Sequence, residues 1–264
     1  MQATENAFSL SVLRVSGPDA RIFLQSQLTS NVESTGDALQ PTAWCNPKGR
    51  VEAVMLVAGR DESLDLLLPE PVAGGVLKRL GMFRIGRRVD LEAVGNAQPA
   101  APEAPGAIRL SFDPERALRI SGDDRSMLPS SWLREDIGHS LPWVLPPVQA
   151  RFLPQMLGLD TLGGLSYRKG CFPGQEVIAR VHYRGRVTQR TARVTVGEPA
   201  ARPGAEIRLA AGTGTILYAV PESDRGDRRA AGDHKSYEAL AVVPSDAAPG
   251  DEITGDCGIG VLVT

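Results

Sequence analysis

Residues 40 to 60 read QPTAWCNPKGRVEAVMLVAGR, two apolar runs joined by Asn46-Pro47-Lys48-Gly49. Proline presets the bend and glycine tolerates positive φ, so these four residues reverse the chain direction. Runs joined that tightly pair antiparallel, because parallel neighbours need a crossover of a dozen or more residues. "SLDLLLP" adds another strand. A predicted helix over about 70–84 follows, with Pro71 at its start and Val72, Val76, Leu77, Leu80 and Phe83 turned inward. "RRVDLEAV" returns as a strand. Hairpin, helix and strand in that order predict an α+β layer and exclude a doubly wound parallel sheet.

The flanks fit the same class. Residues 8 to 15 alternate around Phe8, Leu10 and Val12 as a half-buried strand does. Ser16-Gly17-Pro18-Asp19 then predicts a helix start with proline at the first helical position, followed by Ala20, Phe23, Leu24, Gln27 and Leu28 on one largely apolar face. "GNAQPAAPEAPG", 95 to 106, reads as a surface loop or linker. A hairpin is expected around Asp113-Pro114, then a helix containing Met127, Trp132 and Leu133, with Asp123-Asp124 as its capping acids and Trp143 as a packing residue. Beyond about residue 190, short strands separated by glycine, proline and the charged loop "PESDRGDRRAAGDH" predict a small β-barrel or sandwich.

Composition narrows the function classes. The formal net charge of −2 gives no global attraction to nucleic acid or an anionic membrane, so any such attraction must be local. Cys45, Cys171 and Cys257 are odd in number and far apart, which argues against a disulfide framework. His139, His182 and His234 lack metal-ligand spacing, and no metal site is expected. The N-terminus has neither the basic start nor the apolar run of a secretory leader, and no stretch approaches the length of a membrane span. Free thiols in a reducing cytoplasm are the expectation, with no membrane partner. There is no P-loop, no GxGxxG after a strand and no GxSxG elbow.

One segment stands apart. "YRKGCFPGQEVIAR", 167 to 180, sets Cys171 after Arg168 and Lys169 and before a Pro173-Gly174 break. Gln175 to Arg184 then predicts a helix with Val177, Ile178 and Val181 on one face, and Gln175 and Glu176 in its first turn. Turning an ordinary thiol half to thiolate at neutral pH takes about 2 kcal/mol. A helix terminus supplies about 0.3–1 kcal/mol, so a basic neighbour, Lys169 first, has to help. A reactive thiol and an inert buried one both remain open on these residues. From Arg168 to Arg193 seven basic residues face one acid, Glu176. That stretch can receive a glutamate tail, a phosphate or an RNA backbone, or it can be a solvated strand face.

"KGCFPGQEVIAR" strongly resembles the signature of the YgfZ-like folate-binding proteins, relatives of the glycine-cleavage aminomethyltransferase. Lys169, Gly170, Cys171, Gly174, Gln175 and Glu176 match its K-G-C-x-x-G-Q-E core. "VSGPDARIFLQSQLTSNV", "CNPKGRVEA" and "FLPQMLGLDTLGGLSYRKG" carry the likeness over most of the chain up to about residue 190. The resemblance implies a three-domain aminomethyltransferase-like architecture around a central cavity. The expected divisions are 1–45 with 121–190 as a folate-binding domain, 46–120 as a ferredoxin-like α+β domain, and 191–264 as a C-terminal β-barrel. It also implies tetrahydrofolate as cofactor, iron–sulfur enzymes as clients, including radical tRNA-modifying ones, and Cys171 as the important thiol with Lys169 beside it. Asn46, Lys48, Arg134, Tyr167 and Arg180 are the expected folate contacts. Aminomethyltransferases carry an acidic pair after their K-G-G turn; aligned on Asn46–Gly49, those places hold Ala53 and Val54. Glu52 is adjacent, and strand alternation turns it away from Ala53. The resemblance therefore implies no aminomethyl transfer. Aminomethyl or one-carbon transfer, and a tRNA- or client-binding module, are the rival functions.

Overall fold

The computed structural model describes residues 7–60, 62–122, 124–222, 235–254 and 260–264. Cys257, His234, Asp123 and most of the charged loop before residue 235 lie outside the described residues.

In chain order the first elements are β1 (Leu10–Ser16), α1 (Ala20–Gln25), β2 (Gln40–Cys45), β3 (Val51–Arg60), β4 (Ser63–Pro69), α2 (Glu70–Phe83), β5 (Asp90–Ala100), β6 (Ala107–Arg109) and β7 (Ala117–Ile120). Their strands form one antiparallel sheet in the order β2-β3-β4-β1-β5-β7-β6. The division expected between residues 45 and 46 falls inside this sheet, since β2 pairs with β3 across the Asn46–Gly49 turn and β1 sits between β4 and β5. The apolar runs of β3 and β4 are continuous because both faces are covered. On one face, Ala53, Met55 and Val57 pack with α1 and α2. On the other, Val54, Leu56 and Ala58 pack under Trp143, Phe152 and Leu157. Asp65, fully buried in β4, accepts from Arg14 of β1 at 2.8 Å and pairs with Arg60 at 2.9 Å, which neutralises a carboxylate that burial would otherwise penalise.

After α3 (Ser130–Gly138) and α4 (Gln175–Arg184) come β8 (Gln189–Gly197), β9 (Glu206–Leu209), β10 (Gly212–Pro221), β11 (Ser236–Pro244), β12 (Glu252–Ile253) and β13 (Gly260–Leu262). They pair in the order β12-β13-β8-β11-β10-β9, and reciprocal hydrogen bonds between Arg208 and Thr254 join the two edges. The sheet is thus a nearly closed barrel with its own core of Val194, Val196, Ile207, Ala239 and Ala241. The alternate residues of β10 and β11, including Tyr218 and Leu240, pack against the larger sheet's core. Trp143 is the packing residue its surroundings predict: it is fully buried, and its Nε1 donates to Asp136 at 2.8 Å.

Several local expectations change. Residues 95–100 belong to β5, and only 101–106 turn. Gly95 adopts φ +139 with its Cα pressed on the Gly122 backbone, and Pro99 lies past the end of β1, where a missing amide leaves no ladder bond unmade. α1 starts at Ala20, so Pro18 precedes the helix, and Asp19 Oδ2 accepts from the Arg88 amide. α3 starts at Ser130, leaving Met127 outside it, and Asp124 accepts from the Ser126 amide instead of capping a helix.

Candidate functional site

The turn between β2 and β3 is built by one side chain. Asn46 Oδ1 accepts from the amides of Lys48 at 3.0 Å and Arg50 at 3.1 Å, while Gly49, at φ +74, returns its amide to the Asn46 carbonyl. Asn46 is therefore spent on the turn and on a 3.2 Å bond from its amide nitrogen to Glu52. Lys48 stands exposed at the tip.

The Cys171 segment is seated on that turn. Gly174, at φ +79, precedes the first residue of α4, and a Cβ there would lie 2.4 Å from Gly49 Cα and 2.6 Å from the Asn46 carbonyl oxygen. A Cβ on Gly49 would in turn meet Ile178 and Val177 within 3.3 Å. Only two glycines allow the backbones this approach. Ile178 and Phe172 are buried beneath it, and Gln155 donates to the Ile178 carbonyl at 2.7 Å. Cys171 projects to solvent, with no hydrogen-bond partner at its sulfur among the described residues. Gly170 is also exposed and has open space around its Cα. Gln175 and Glu176 form the first turn of α4 as predicted, Glu176 exposed.

Lys169 points the other way along the loop. Its Nζ donates to the carbonyls of Leu28 at 2.6 Å and Ser30 at 2.7 Å, and it sits 5.3 Å from the Phe172 ring. Burial pushes its pKa down to about 8, with Glu33 opposing. Its bonds anchor the loop to the segment after α1. That segment holds the approach as well: Thr29 Oγ1 donates to the Gly164 carbonyl at 2.6 Å, and the Ser166 amide donates to the Thr29 carbonyl. Sequence reasoning missed Leu28 and Ser30, because a carbonyl acceptor leaves no mark in residue type.

Behind the turn lies a register change. Trp44 pairs with Ala53 and Cys45 with Val51, so Glu52 is the extra residue of a β-bulge. The bulge overturns the expectation that Glu52 faces away from Ala53. Its carboxylate pairs with Arg79 of α2 at 3.1 Å, Arg79 lies 5.9 Å from the Trp44 ring, and Trp44 shares the α2-side cluster with Ala53. Phe83 meets Trp44 edge-on at 6.5 Å. Two buried polar atoms here, Trp44 Nε1 and Gln27 Oε1, have no hydrogen-bond partner among the described residues, and the Leu28–Trp44 bridge brings the residue after Gln27 beside Trp44. Ala53 and Val54 are both fully buried, one in each core.

The remaining expected contacts divide. Tyr167 stacks on His182 of α4 at 3.7 Å, and burial, reinforced by the charge of Asp160, raises its phenol to about 12. Arg180 is exposed on α4. Arg134 is bound elsewhere, pairing with Glu238 of β11 at 2.9 Å and donating to the Pro221 carbonyl of β10. The basic stretch also divides. Arg190 donates to the Ala247 carbonyl and Arg193 to Thr264, whereas Arg168, Arg180, Arg184 and Arg186 are exposed and make no side-chain bond among the described residues. Those residues contain no group of three or more His, Cys, Asp or Glu side chains placed to hold a metal, and no helix long and apolar enough to cross a membrane.

No family model matches the chain. Among curated proteins it is similar to the tRNA-modifying protein YgfZ of Edwardsiella ictaluri, at 29% identity over 66% of this chain and 65% of that protein. It is similar to the YgfZ of Klebsiella pneumoniae at 29% identity over 80% and 78%, and to an uncharacterised Haemophilus influenzae protein at 30% identity over 66% of each. The chain thus spans just under two thirds of the length of the Edwardsiella protein. Among solved structures, the glycine cleavage system aminomethyltransferase T of Bartonella henselae superposes with a TM-score of 0.64 at 13% identity, over 98% of this chain and 84% of that one. That likeness shows an aminomethyltransferase-like fold. Along most of its length, then, this chain is similar to YgfZ proteins, and it carries the signature from Lys169 to Glu176 seated on the Asn46–Gly49 turn.

Proposed function

We propose that the protein is a tetrahydrofolate-binding accessory factor in tRNA modification, which supports the iron–sulfur clusters of client enzymes through the thiol of Cys171. The observation that carries this reading is the mounting of that thiol. An exposed sulfur stands on a loop fixed to the sheet by the Gly49–Gly174 contact and to the segment after α1 by Lys169. A sulfur placed in that way meets a macromolecular partner without rearrangement of the loop. Lys169 acts by anchoring that loop, and Gly174 by permitting the contact with the turn; Gly170, Gln175 and Glu176 complete the loop and the first helical turn. One thiol does not make a four-cysteine cluster site, so the cluster belongs to the client in this reading.

The chemistry at the bulge suits a reduced folate. The ligand has a hydrogen-bonding pterin edge, flat rings and an anionic glutamate tail. Trp44 Nε1 and Gln27 Oε1 supply complementary polar atoms, Trp44 and Phe83 supply rings, and the exposed Lys48 and Arg180 supply charge for the tail. When bound, the folate supplies a one-carbon carrier. In this reading the contacts expected from Asn46 and Arg134, whose side chains are already committed, pass to Gln27 and Trp44. With Ala53 and Val54 sealed in the two cores, no aminomethyl transfer is expected; release of ammonia and methylenetetrahydrofolate from an aminomethylated donor is the result that overturns this point.

The test uses Cys171→Ser in a strain lacking the protein. Tetrahydrofolate affinity, read by calorimetry, should stay within about twofold of wild type, because the surface thiol makes no contact to lose. Activity of cluster-dependent tRNA-modifying enzymes should fall to the level of the deletion. Full support of those enzymes by the variant would sink the thiol role, and absence of folate binding by the wild type would sink the cofactor.

A further inference from the structure

α4 carries a surface that the thiol reading does not use and that the folate reading uses only at Arg180. Arg180, Tyr183 and Arg184 occupy positions i, i+3 and i+4 of the helix, which places them on one face. All three are exposed, Tyr183 at 68%, and Arg186 follows at the helix end, also exposed. Among the described residues the three arginines form no ion pair and no side-chain hydrogen bond. Glu176, one turn before Arg180, does not pair with it. Three unbonded guanidinium groups thus stand with an exposed phenol on and just beyond one helix, a local concentration of positive charge in a chain of net charge −2.

The phenol is positioned as well as exposed. Tyr183 meets His182 edge-on at 4.7 Å, and His182 is stacked at 16° on Tyr167, whose backbone leads into the anchored Cys171 loop. We propose that this face of α4 binds a single-stranded segment of RNA, with Arg180, Arg184 and Arg186 on phosphates and a base stacked on Tyr183. Cations flanking an aromatic platform are the usual means of holding single strands without reading their sequence. An acidic protein surface matches the arginines alone and gives the ring no task. A duplex offers phosphates but keeps its bases stacked on one another. The proposal extends the tRNA-modification reading above, but it does not depend on Cys171, so the two fail separately.

The experiment is fluorescence anisotropy of the full-length protein with a labelled single-stranded RNA of roughly a dozen nucleotides, across about 50 to 200 mM salt. Three phosphate contacts give a log–log salt slope of about −2, and each Arg→Gln change at 180, 184 or 186 should reduce its magnitude by about 0.7. Tyr183→Ala should weaken binding by roughly 5- to 100-fold, and Tyr183→Phe should stay within about twofold. Cys171→Ser should bind like wild type, so a variant that binds RNA yet supports no client separates this surface from the thiol. In the unmodified protein, photocrosslinking through 4-thiouridine should map to α4. Absence of saturable binding at low salt overturns the proposal. Wild-type affinity in Tyr183→Ala, crosslinks that avoid α4, or displacement of the RNA by polyglutamate as readily as by unlabelled RNA each does so too; the last favours an acidic protein partner.

Discussion

Cys45 and Cys171 share a local grammar. Each is followed two residues later by proline and soon after by glycine, in CNPKG and CFPGQ, and both border the same junction of turn and helix. Their situations are opposite. Cys45 is 1% exposed at the end of β2, where burial first and the charge of Glu52 second push its thiol pKa well up. Cys171 is exposed on the loop above. Local sequence therefore does not decide whether a thiol is a core atom or a reagent; the layer beneath it does. β2 is covered on the Cys45 side by the core around Trp143 and Phe152, while nothing among the described residues covers Cys171.

The largest effect that could break this contrast is chemical. Peptide-resolved alkylation of the native protein should modify Cys171 at least about 1,000-fold faster than Cys45, which becomes accessible only on unfolding. Comparable rates would end the distinction. Next in size is the junction itself. Gly174→Ala forces a side chain into the left-handed region and onto Gly49, and should cost about 3 kcal/mol or more in urea unfolding. A loss under about 1 kcal/mol would show that loop and turn are not locked together.

Serine substitutions sharpen the contrast further. Cys45→Ser buries a hydroxyl among apolar neighbours and should cost about 1–3 kcal/mol, whereas Cys171→Ser should lie within about 0.5 kcal/mol of wild type. The contrast extends to the pH dependence of the loop's anchor. The folded Lys169 has a pKa near 8 against an unfolded value of 10.5, so between those values the unfolded chain holds a proton that the folded one has lost. Wild-type stability relative to Lys169→Met should accordingly rise with pH across that window and stay flat below it. A flat difference throughout would mean that the ammonium is solvated.

The sequence made some of this legible and hid the rest for identifiable reasons. The turn at Asn46–Gly49, α2 and α4 are set by neighbours a few residues apart, and their residue types announce them. The strands beyond residue 190 are legible from alternation and spacing, although the short β12 is too slight to register. Long-range effects are not written locally. Residues 95–100 have the composition of a linker and become strand because β1 and β7 supply partners. The Glu52 bulge depends on the register imposed by β2, so strand alternation gave the wrong face. Cys171 and its motif were legible as a candidate, but the task of Lys169 was not: its acceptors are carbonyls some 140 positions earlier. The stack of Tyr167 on His182 likewise joins a loop to a helix whose relative placement no period encodes.

The contact between Gly49 and Gly174 has a mechanical consequence. Two bare α-carbons in contact leave no side chain to rotate out of the way and no gap to close. The loop bearing the thiol is in effect clamped to the sheet, and Cys171 stands on a fixed post. Selectivity for what reacts there has to come from the shape of the visiting partner, which must bring its own reactive atom to the sulfur.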